Sequence, residues 1–117
     1  MGEVWRDIKE YEGLYQVSNW GNVRSLNYNK TGKIQILKTI INNSGYTQVG
    51  LHKEGIMKLC TIHRLVAEAF IPNPNQYPIV NHKDYIKSNN TSDNLEWCSY
   101  EYNNNYIPKY KWGNKEQ

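Results

Sequence analysis

The sequence has 117 residues, a hydrophobic fraction of 38% and a mean hydropathy of −0.82, which suits one modest domain or two very small modules that share a core. No apolar run approaches the roughly 18 residues of a membrane span. The N-terminus lacks the layout of a secretion signal. The two cysteines, Cys60 and Cys98, do not have Cys-x-x-Cys spacing. We therefore expect a reduced, intracellular protein without a membrane segment, a disulfide framework or a four-cysteine zinc site. The net charge of +3 does not by itself indicate a nucleic-acid partner.

The positive charge is concentrated in the middle of the chain. Residues 13–64 hold seven basic residues against the single acid Glu54. Such a surface is suited to contacts with nucleic-acid phosphates, although a solvated basic face without a partner has the same composition. The seven candidate DNA-binding residues are Arg24, Lys30, Lys33, Lys38, Lys53, Lys58 and Arg64.

The same region has the pattern of antiparallel β-structure. Strands are predicted for residues 14–18 and 22–26, on either side of a turn in which Gly21 favours positive φ. A third strand is predicted for residues 34–40. Residues 46–51 alternate in polarity, and they are expected to form a hairpin with residues 57–62.

The hydrophobic period then changes to that of a helix, predicted for residues 63–70 and ended by Pro72. A short strand over 79–82, a polar loop over 87–93 and a return strand over 95–98 follow. Ser99 is a suitable N-cap for a second helix, with Glu101 in its first turn. The segment after Pro108 is polar and basic, without the pattern of another packed element.

Two separated segments carry a family resemblance. Residues 80–84, Val-Asn-His-Lys-Asp, followed by Asn89-Asn90, residues 94–97 (Asn-Leu-Glu-Trp) and Asn103, resemble the HNH nuclease motif of phage and intron homing endonucleases. The helix over 63–70 is similar to the one that precedes this motif. Upstream, residues 5–8, 11–19 and 21–25 resemble the nuclease-associated modular N-terminal motif of the same proteins. The resemblance covers residues 3–106, in the order found in the family.

The resemblance implies an α+β fold with two regions and a tail. Residues 1–55 would be an antiparallel β-rich DNA-binding region. Residues 56–107 would be the ββα-metal nuclease unit, also called a His-Me finger. Residues 108–117 would be a basic polar tail.

The resemblance also implies roles at the site. His82 would be the general base and Asn94 the middle asparagine of the motif, which ties the polar loop and orients the base. Asn81 and Asn103 would hold one divalent cation through their carbonyl oxygens. Because oxygen ligands favour hard ions, Mg²⁺ or Mn²⁺ is expected rather than Zn²⁺.

The ligand positions depart from the motif's namesake letters. The final histidine is replaced by Asn103, and Asn81 stands where some relatives carry Asp. Two neutral amides bind a cation weakly, so we expect low metal affinity until a DNA phosphate completes the site. Asp84 is close enough in sequence to compete as a ligand, and the run 103–105 leaves the helix register open by one residue.

The implied function is a metal-dependent DNA endonuclease acting on double-stranded DNA, with no small-molecule cofactor, in the cytoplasm of a bacterial or phage-infected cell. The alternative is a non-catalytic DNA-binding module or regulator derived from such an enzyme. Monomer and homodimer, and nicking and double-strand cleavage, remain open at this stage. His63 heads a helix, where it faces either a cap or the basic surface, and it is interpreted as structural.

Overall fold

The computed structural model describes residues 2–105, and these form three small antiparallel sheets and two helices. The expected α+β class is confirmed. Within the described residues, no helix has the length and apolar character needed to cross a membrane. The predicted basic tail over 108–117 lies outside the described residues.

The first sheet has the order β1-β2-β3-β4, with β1 at Trp5–Asp7, β2 at Tyr15–Ser18, β3 at Val23–Ser25 and β4 at Gln35–Ile36. The turn between β2 and β3 contains Gly21 at φ 89°, as its sequence predicts. The short strand β1 was not predicted from the sequence, because three residues carry almost no periodic pattern. It is recognised as a strand by its pairing with β2.

The predicted single strand over 34–40 is wrong. The segment forms two short strands, β4 and β5 (Ile40–Ile41), which belong to different sheets. Between them Leu37 turns inward, packs against the core and donates its backbone N–H to Val23 O at 2.9 Å. Because this inward side chain interrupts the extended run, the chain crosses here from the first sheet to the second.

The second sheet has the order β5-β6-β7, with β6 at Thr47–Lys53 and β7 at Ile56–Thr61. The two-residue turn between them places Glu54 at φ 53° and Gly55 at φ 79°, which is the double positive φ of a type I′ hairpin turn. The expected boundary between residues 55 and 56 falls in this turn, so the two predicted regions share one sheet.

A single core joins all of these elements. Helix α1 (Ile62–Phe70) begins one residue before its predicted start and buries one face against both sheets and the hairpin formed by residues 79–98. The core side chains come from both ends of the chain, and burial of this kind supplies about 1.5–3 kcal/mol for each large apolar residue. The buried core residues are Ile8, Val17, Val23, Val49, Leu51, Ile62, Leu65, Val66, Ala67, Val80 and Leu95.

The third sheet is the hairpin of β8 (Ile79–His82) and β9 (Leu95–Cys98), followed by helix α2 (Tyr100–Asn105). Its register pairs Val80 with Trp97 and His82 with Leu95. As predicted, Ser99 caps the helix: its Oγ accepts a hydrogen bond from the backbone N–H of Tyr102 at 3.1 Å. A polar loop containing the 3₁₀ turn Ser92–Asn94 connects the two strands.

The turn between β2 and β3 is packed against this polar loop. The backbone N–H of Ser92 donates to Asn19 O at 2.8 Å. A Cβ atom placed on Gly21 would lie 3.0 Å from both Cβ and the carbonyl oxygen of Asn90. A methyl group has no room there, so glycine is required by both its φ and its neighbour.

We expect Gly21→Ala to destabilise the fold more than Gly13→Ala. Gly13 has a similar φ of 79°, but a Cβ placed there meets nothing within 4 Å. The difference isolates the contact with Asn90, which we expect to cost about 1–3 kcal/mol in the free energy of unfolding. Urea denaturation followed by tryptophan fluorescence measures both variants, and equal losses would contradict the tight contact.

Candidate active site

The sequence-predicted site residues Asn81, His82 and Asn103 line one cleft of about 310 Å³. Helix α2 contributes Asn104 as well as Asn103, so the two residues are both placed at the cleft. A larger cavity of about 550 Å³ contains none of the nuclease-motif residues. The remaining residues that line the cleft are Tyr46, Val80, Tyr85 and Lys87.

His82 is held by a hydrogen bond with Asn90. His82 is 5% exposed, Asn90 is 7% exposed, and His82 Nε2 lies 2.8 Å from Asn90 Oδ1. Since the amide oxygen can only accept, the neutral imidazole carries its hydrogen on Nε2 in this arrangement. The lone pair is then on Nδ1, which makes Nδ1 the atom that can accept a proton.

Two aromatic rings flank the imidazole of His82. The ring centroids of His63 and His82 are 4.9 Å apart, and Tyr46 stacks on His63 with the same separation. Lys87 Nζ lies 4.7 Å from the Tyr46 ring and donates to Ser44 O at 2.7 Å. The second sheet therefore supplies one wall of the cleft, and this wall restricts the orientation of His82.

Both histidines are held in their neutral form. Burial lowers the pKa of His82, and the nearby Lys87 acts in the same direction, while Asn90 and Asp84 oppose the shift. Burial, followed by repulsion from His82 when it is protonated and from Arg64, lowers the pKa of His63 to about 4. A neutral His82 at physiological pH is the form that can act as a base.

Asn94 ties the polar loop, as the resemblance implies. Its Nδ2 donates to Asp84 Oδ1 at 2.9 Å and to Asn89 O at 2.8 Å, and its Oδ1 accepts from the backbone N–H of Asp84 at 3.2 Å. Among the described residues, however, the side chain hydrogen-bonded to the His82 ring is Asn90 rather than Asn94. Asn94 thus acts on His82 only through the loop.

Asp84 is also committed to the loop. Its Oδ1 accepts from the backbone N–H of Ile86 at 2.8 Å and from Asn94, and its Oδ2 accepts from Asn89 Nδ2 at 2.7 Å. Burial alone would raise the pKa of the Asp84 carboxyl, but these hydrogen bonds, together with the nearby His82, lower that pKa below its usual value. Both oxygens are engaged, which argues against Asp84 as a competing metal ligand.

The donors at the cleft suit a hard cation. Asn81, which is 7% exposed, and Asn103 offer amide oxygens, and residues 2–105 contain no group of three or more His, Cys, Asp or Glu able to hold a metal ion. Mg²⁺ is commonly held by few protein ligands together with substrate phosphates. The residues present therefore fit one Mg²⁺ or Mn²⁺ ion and do not fit a zinc site.

Three of the predicted DNA-binding residues have partners within the protein. Arg24 donates from Nε and Nη2 to Gln16 Oε1 and stacks on Trp5. Lys53 Nζ donates to a backbone carbonyl at 2.6 Å, and Arg64 donates to another at 2.9 Å. The other four predicted residues are exposed: Lys30, Lys33, Lys38 and Lys58.

Sequence reasoning assigned no role to Asn90 or Tyr46. Asn90 stands in a run of polar loop residues, and nothing in that run marks which amide reaches the histidine. Tyr46 lies 36 residues before His82 and reaches it only through the second sheet. Both contacts depend on tertiary packing and leave no local signal.

The stability of the protein should fall as the pH drops from 6.5 towards 4. In this range the unfolded chain protonates His63 while the folded protein, with its lowered pKa of about 4, does not. A shift of this size corresponds to a loss on the order of 3 kcal/mol. We expect His63→Phe, which can still stack on Tyr46, to show a much weaker decline in urea denaturation across these pH values.

The exposed His52 provides the control for this measurement. His52→Gln should keep the pH dependence of the wild type. His82 adds a dependence of the same sign, so a residual decline is expected in His63→Phe. An unchanged pH profile in His63→Phe would contradict the burial of the neutral imidazole.

Comparison with known proteins shows which family the chain resembles. The NUMOD4 motif matches residues 3–52. The chain is 46% identical over 99 residues to the DNA endonuclease I-HmuI of Bacillus phage SP01, a match that covers 85% of this chain and 54% of that protein. It is 41% identical over 102 residues to the uncharacterised HNH endonuclease L245 of Acanthamoeba polyphaga mimivirus, covering 87% of this chain and 29% of that protein. The chain thus spans about half the length of the phage relative and less of the mimivirus one.

Comparison of folds also shows similarity to an HNH homing endonuclease. A solved structure of the HNH homing endonuclease I-HmuI, concerned with its DNA binding and cleavage, superposes with a TM-score of 0.78 and 40% identity over 97% of this chain and 60% of that one. The resemblance inferred from the sequence motifs is confirmed. By sequence and by fold, the chain is similar to the HNH homing endonucleases, and its N-terminal half matches the NUMOD4 motif.

Proposed function

We propose that this chain is a metal-dependent DNA endonuclease that hydrolyses phosphodiester bonds in double-stranded DNA. The observation that carries the proposal is the cleft itself. It brings the buried, neutral His82 together with the amides of Asn81 and Asn103. The similarity to HNH endonucleases over most of the chain supports this function.

His82 acts as the general base. Its Nδ1 takes a proton from the attacking water. Its Nε2–H keeps donating a hydrogen bond to Asn90 Oδ1 throughout. The amide oxygen of Asn90 favours the positively charged imidazolium that this transfer creates. Asn90 is therefore the positioning residue for the base, and Asn94 acts behind it by fixing the loop.

Asn81 and Asn103 hold one divalent cation, Mg²⁺ or Mn²⁺. When bound, such an ion polarises the scissile phosphate and stabilises the charge on the leaving oxygen. Neutral amides hold it weakly without DNA, because they provide no formal charge. Lys87 adds a positive charge at the same cleft, close to where a phosphate would lie.

The duplex is bound by the β-rich region over 1–55 together with the adjacent strand β7. Lys30, Lys33, Lys38 and Lys58 extend into solvent and supply phosphate contacts. Arg24, Lys53 and Arg64 contribute charge while keeping their structural partners. The protein acts in the cytoplasm of a bacterial or phage-infected cell, where its substrate is found.

We expect His82→Ala to lose nicking of supercoiled plasmid in Mg²⁺ or Mn²⁺ by about 10²–10⁴-fold, because removing a general base typically has this cost. DNA affinity, measured by fluorescence anisotropy, should change little, since phosphate contacts lie elsewhere. His52→Ala removes an exposed histidine outside the cleft and serves as the control. Wild type should lose all nicking in EDTA.

Equal nicking by wild type and His82→Ala would exclude His82 as the base. If wild type binds DNA but fails to nick it with every divalent metal tried, the non-catalytic DNA-binding module becomes the better account. A linear product formed without a nicked intermediate would point to a dimer that cuts both strands.

The exposed lysines should control the salt dependence of DNA binding. About six phosphate contacts give a slope near −5 in a plot of log affinity against log salt. The double substitution Lys33→Gln and Lys38→Gln should reduce the slope by about 2. Lys9→Gln, in the acidic N-terminal segment, should leave the slope unchanged, and an equal effect of both changes would argue against a defined basic surface.

A further inference from the structure

The side chain of Asn81 is held by Glu96. The two residues face each other across the β8–β9 hairpin, so their side chains leave the same face of the ribbon. Asn81 Nδ2 donates to Glu96 Oε2 at 2.9 Å. Asn81 is 7% exposed and Glu96 is half-buried. Strand register therefore builds this contact, and it does not depend on a mobile surface side chain.

Glu96 approaches Asn81 from outside the cleft. In the described part of the chain, Glu96 lines a neighbouring cavity of about 340 Å³ with Tyr77 and Tyr102, and it is absent from the lining of the His82 cleft. Asn81 lines the His82 cleft itself. The carboxylate is thus placed to hold Asn81 rather than to bind an ion in the cleft.

The carboxylate decides which end of the Asn81 amide faces the cleft. An amide has a donor end and an acceptor end of nearly the same shape, so a free asparagine can present either. A carboxylate only accepts hydrogen bonds, and it therefore selects the orientation in which Nδ2 points to Glu96. Oδ1, the end able to bind a cation, is directed away from Glu96 and remains available.

The same hydrogen bond compensates for the missing charge at Asn81. A bond from a neutral donor to a carboxylate is stronger than one between neutral groups, and it polarises the amide so that Oδ1 becomes more negative. The full charge of Glu96 also lies one side chain from the cation site. Partners that orient metal ligands in this way typically affect metal affinity 10–100-fold.

We propose that Glu96 is the positioning residue for Asn81, and that it makes a neutral amide effective as a metal ligand. This inference rests on the proposed function only in taking Asn81 as a ligand. In this role Glu96 does not itself contact DNA, the attacking water or the cation.

The test measures metal binding directly. Mn²⁺ binding to the full chain mixed with a short DNA duplex is followed by electron paramagnetic resonance, with the duplex alone as the blank. Glu96→Gln keeps the size of the side chain but removes the charge and the obligatory acceptor. We expect a 10–100-fold weaker Mn²⁺ affinity, with an unchanged circular dichroism spectrum and thermal midpoint as evidence that the chain still folds.

Glu101→Gln is the matched control. Glu101 is an exposed acid in the first turn of α2, and its substitution removes the same charge from the same unit of the fold. We expect Mn²⁺ affinity to change less than twofold. An equal loss in both variants would show a general charge effect and would overturn the proposal.

A rescue experiment separates positioning from simple loss of charge. Asn81→Asp places a charged ligand directly at the cleft, and in the Glu96→Gln background the amide introduced at position 96 can donate to it. The double variant should therefore recover wild-type Mn²⁺ affinity or exceed it. Asn81→Asp alone should gain less, because two carboxylates then face each other at the distance of a hydrogen bond.

The outcomes distinguish this proposal from the proposed function. If wild type nicks DNA but Glu96→Gln binds Mn²⁺ as tightly as wild type, the role of Glu96 is wrong and the nuclease stands. If Glu96→Gln weakens Mn²⁺ binding but wild type nicks nothing, the positioning role stands and the nuclease proposal fails. Additive effects in the double variant would overturn the coupling between Asn81 and Glu96.

Discussion

The register of the β8–β9 hairpin is the constraint on which the rest of the site depends. Each strand has four residues, and a slip by one would move every side chain to the opposite face. Val80 and Leu95 enter the core, and Trp97 Nε1 donates to Ile71 O at 3.0 Å just after helix α1. These anchors leave one register, and that register places Asn81 opposite Glu96 and His82 at the end of its strand.

The N-terminal region supports the polar loop between β8 and β9 as well as carrying basic residues. Its β2–β3 turn receives a hydrogen bond from Ser92 and lies so close to Asn90 that only glycine fits at position 21. Asn90 in turn holds His82. One consequence is physical coupling: any contact that moved the β2–β3 turn would also move Asn90, the hydrogen-bond partner of His82. The continuous core across residues 55 and 56 is consistent with this coupling.

The sequence predicts what is local and fails where contacts are long-range. The strands over 79–82 and 95–98, helix α1 and the cap at Ser99 follow from periodicity and capping chemistry, and the structure has each of them. The segment over 34–40 was misjudged because its β-pattern continues through the point where the chain changes sheets. Pattern shows that residues are extended; only packing shows which strand they join.

The site residues also divide into those that a local motif identifies and those that only long-range contacts reveal. His82, Asn81 and Asn103 were identifiable because the motif preserves their spacing, and all three line the cleft. Asn90 and Glu96 hydrogen-bond to two of these residues and Tyr46 stacks near His82, but each reaches its partner through a loop, a strand register or the second sheet. The motif includes Asn90 and Glu96, but only the fold shows which side chains they contact.

The neutral amides have a consequence for how the proposed enzyme would be controlled. A site with a carboxylate ligand binds its cation in the absence of substrate, while Asn81 and Asn103 contribute only dipoles. The largest negative charge available to complete such a site is the DNA phosphate, and Lys87 at the cleft favours its entry. Metal and DNA would then bind cooperatively, each raising the affinity for the other by the same factor. The reactive arrangement would form only when a phosphodiester bond is already in place, and under our proposal the hydrogen bond from Asn81 to Glu96 would set how strong that dependence is.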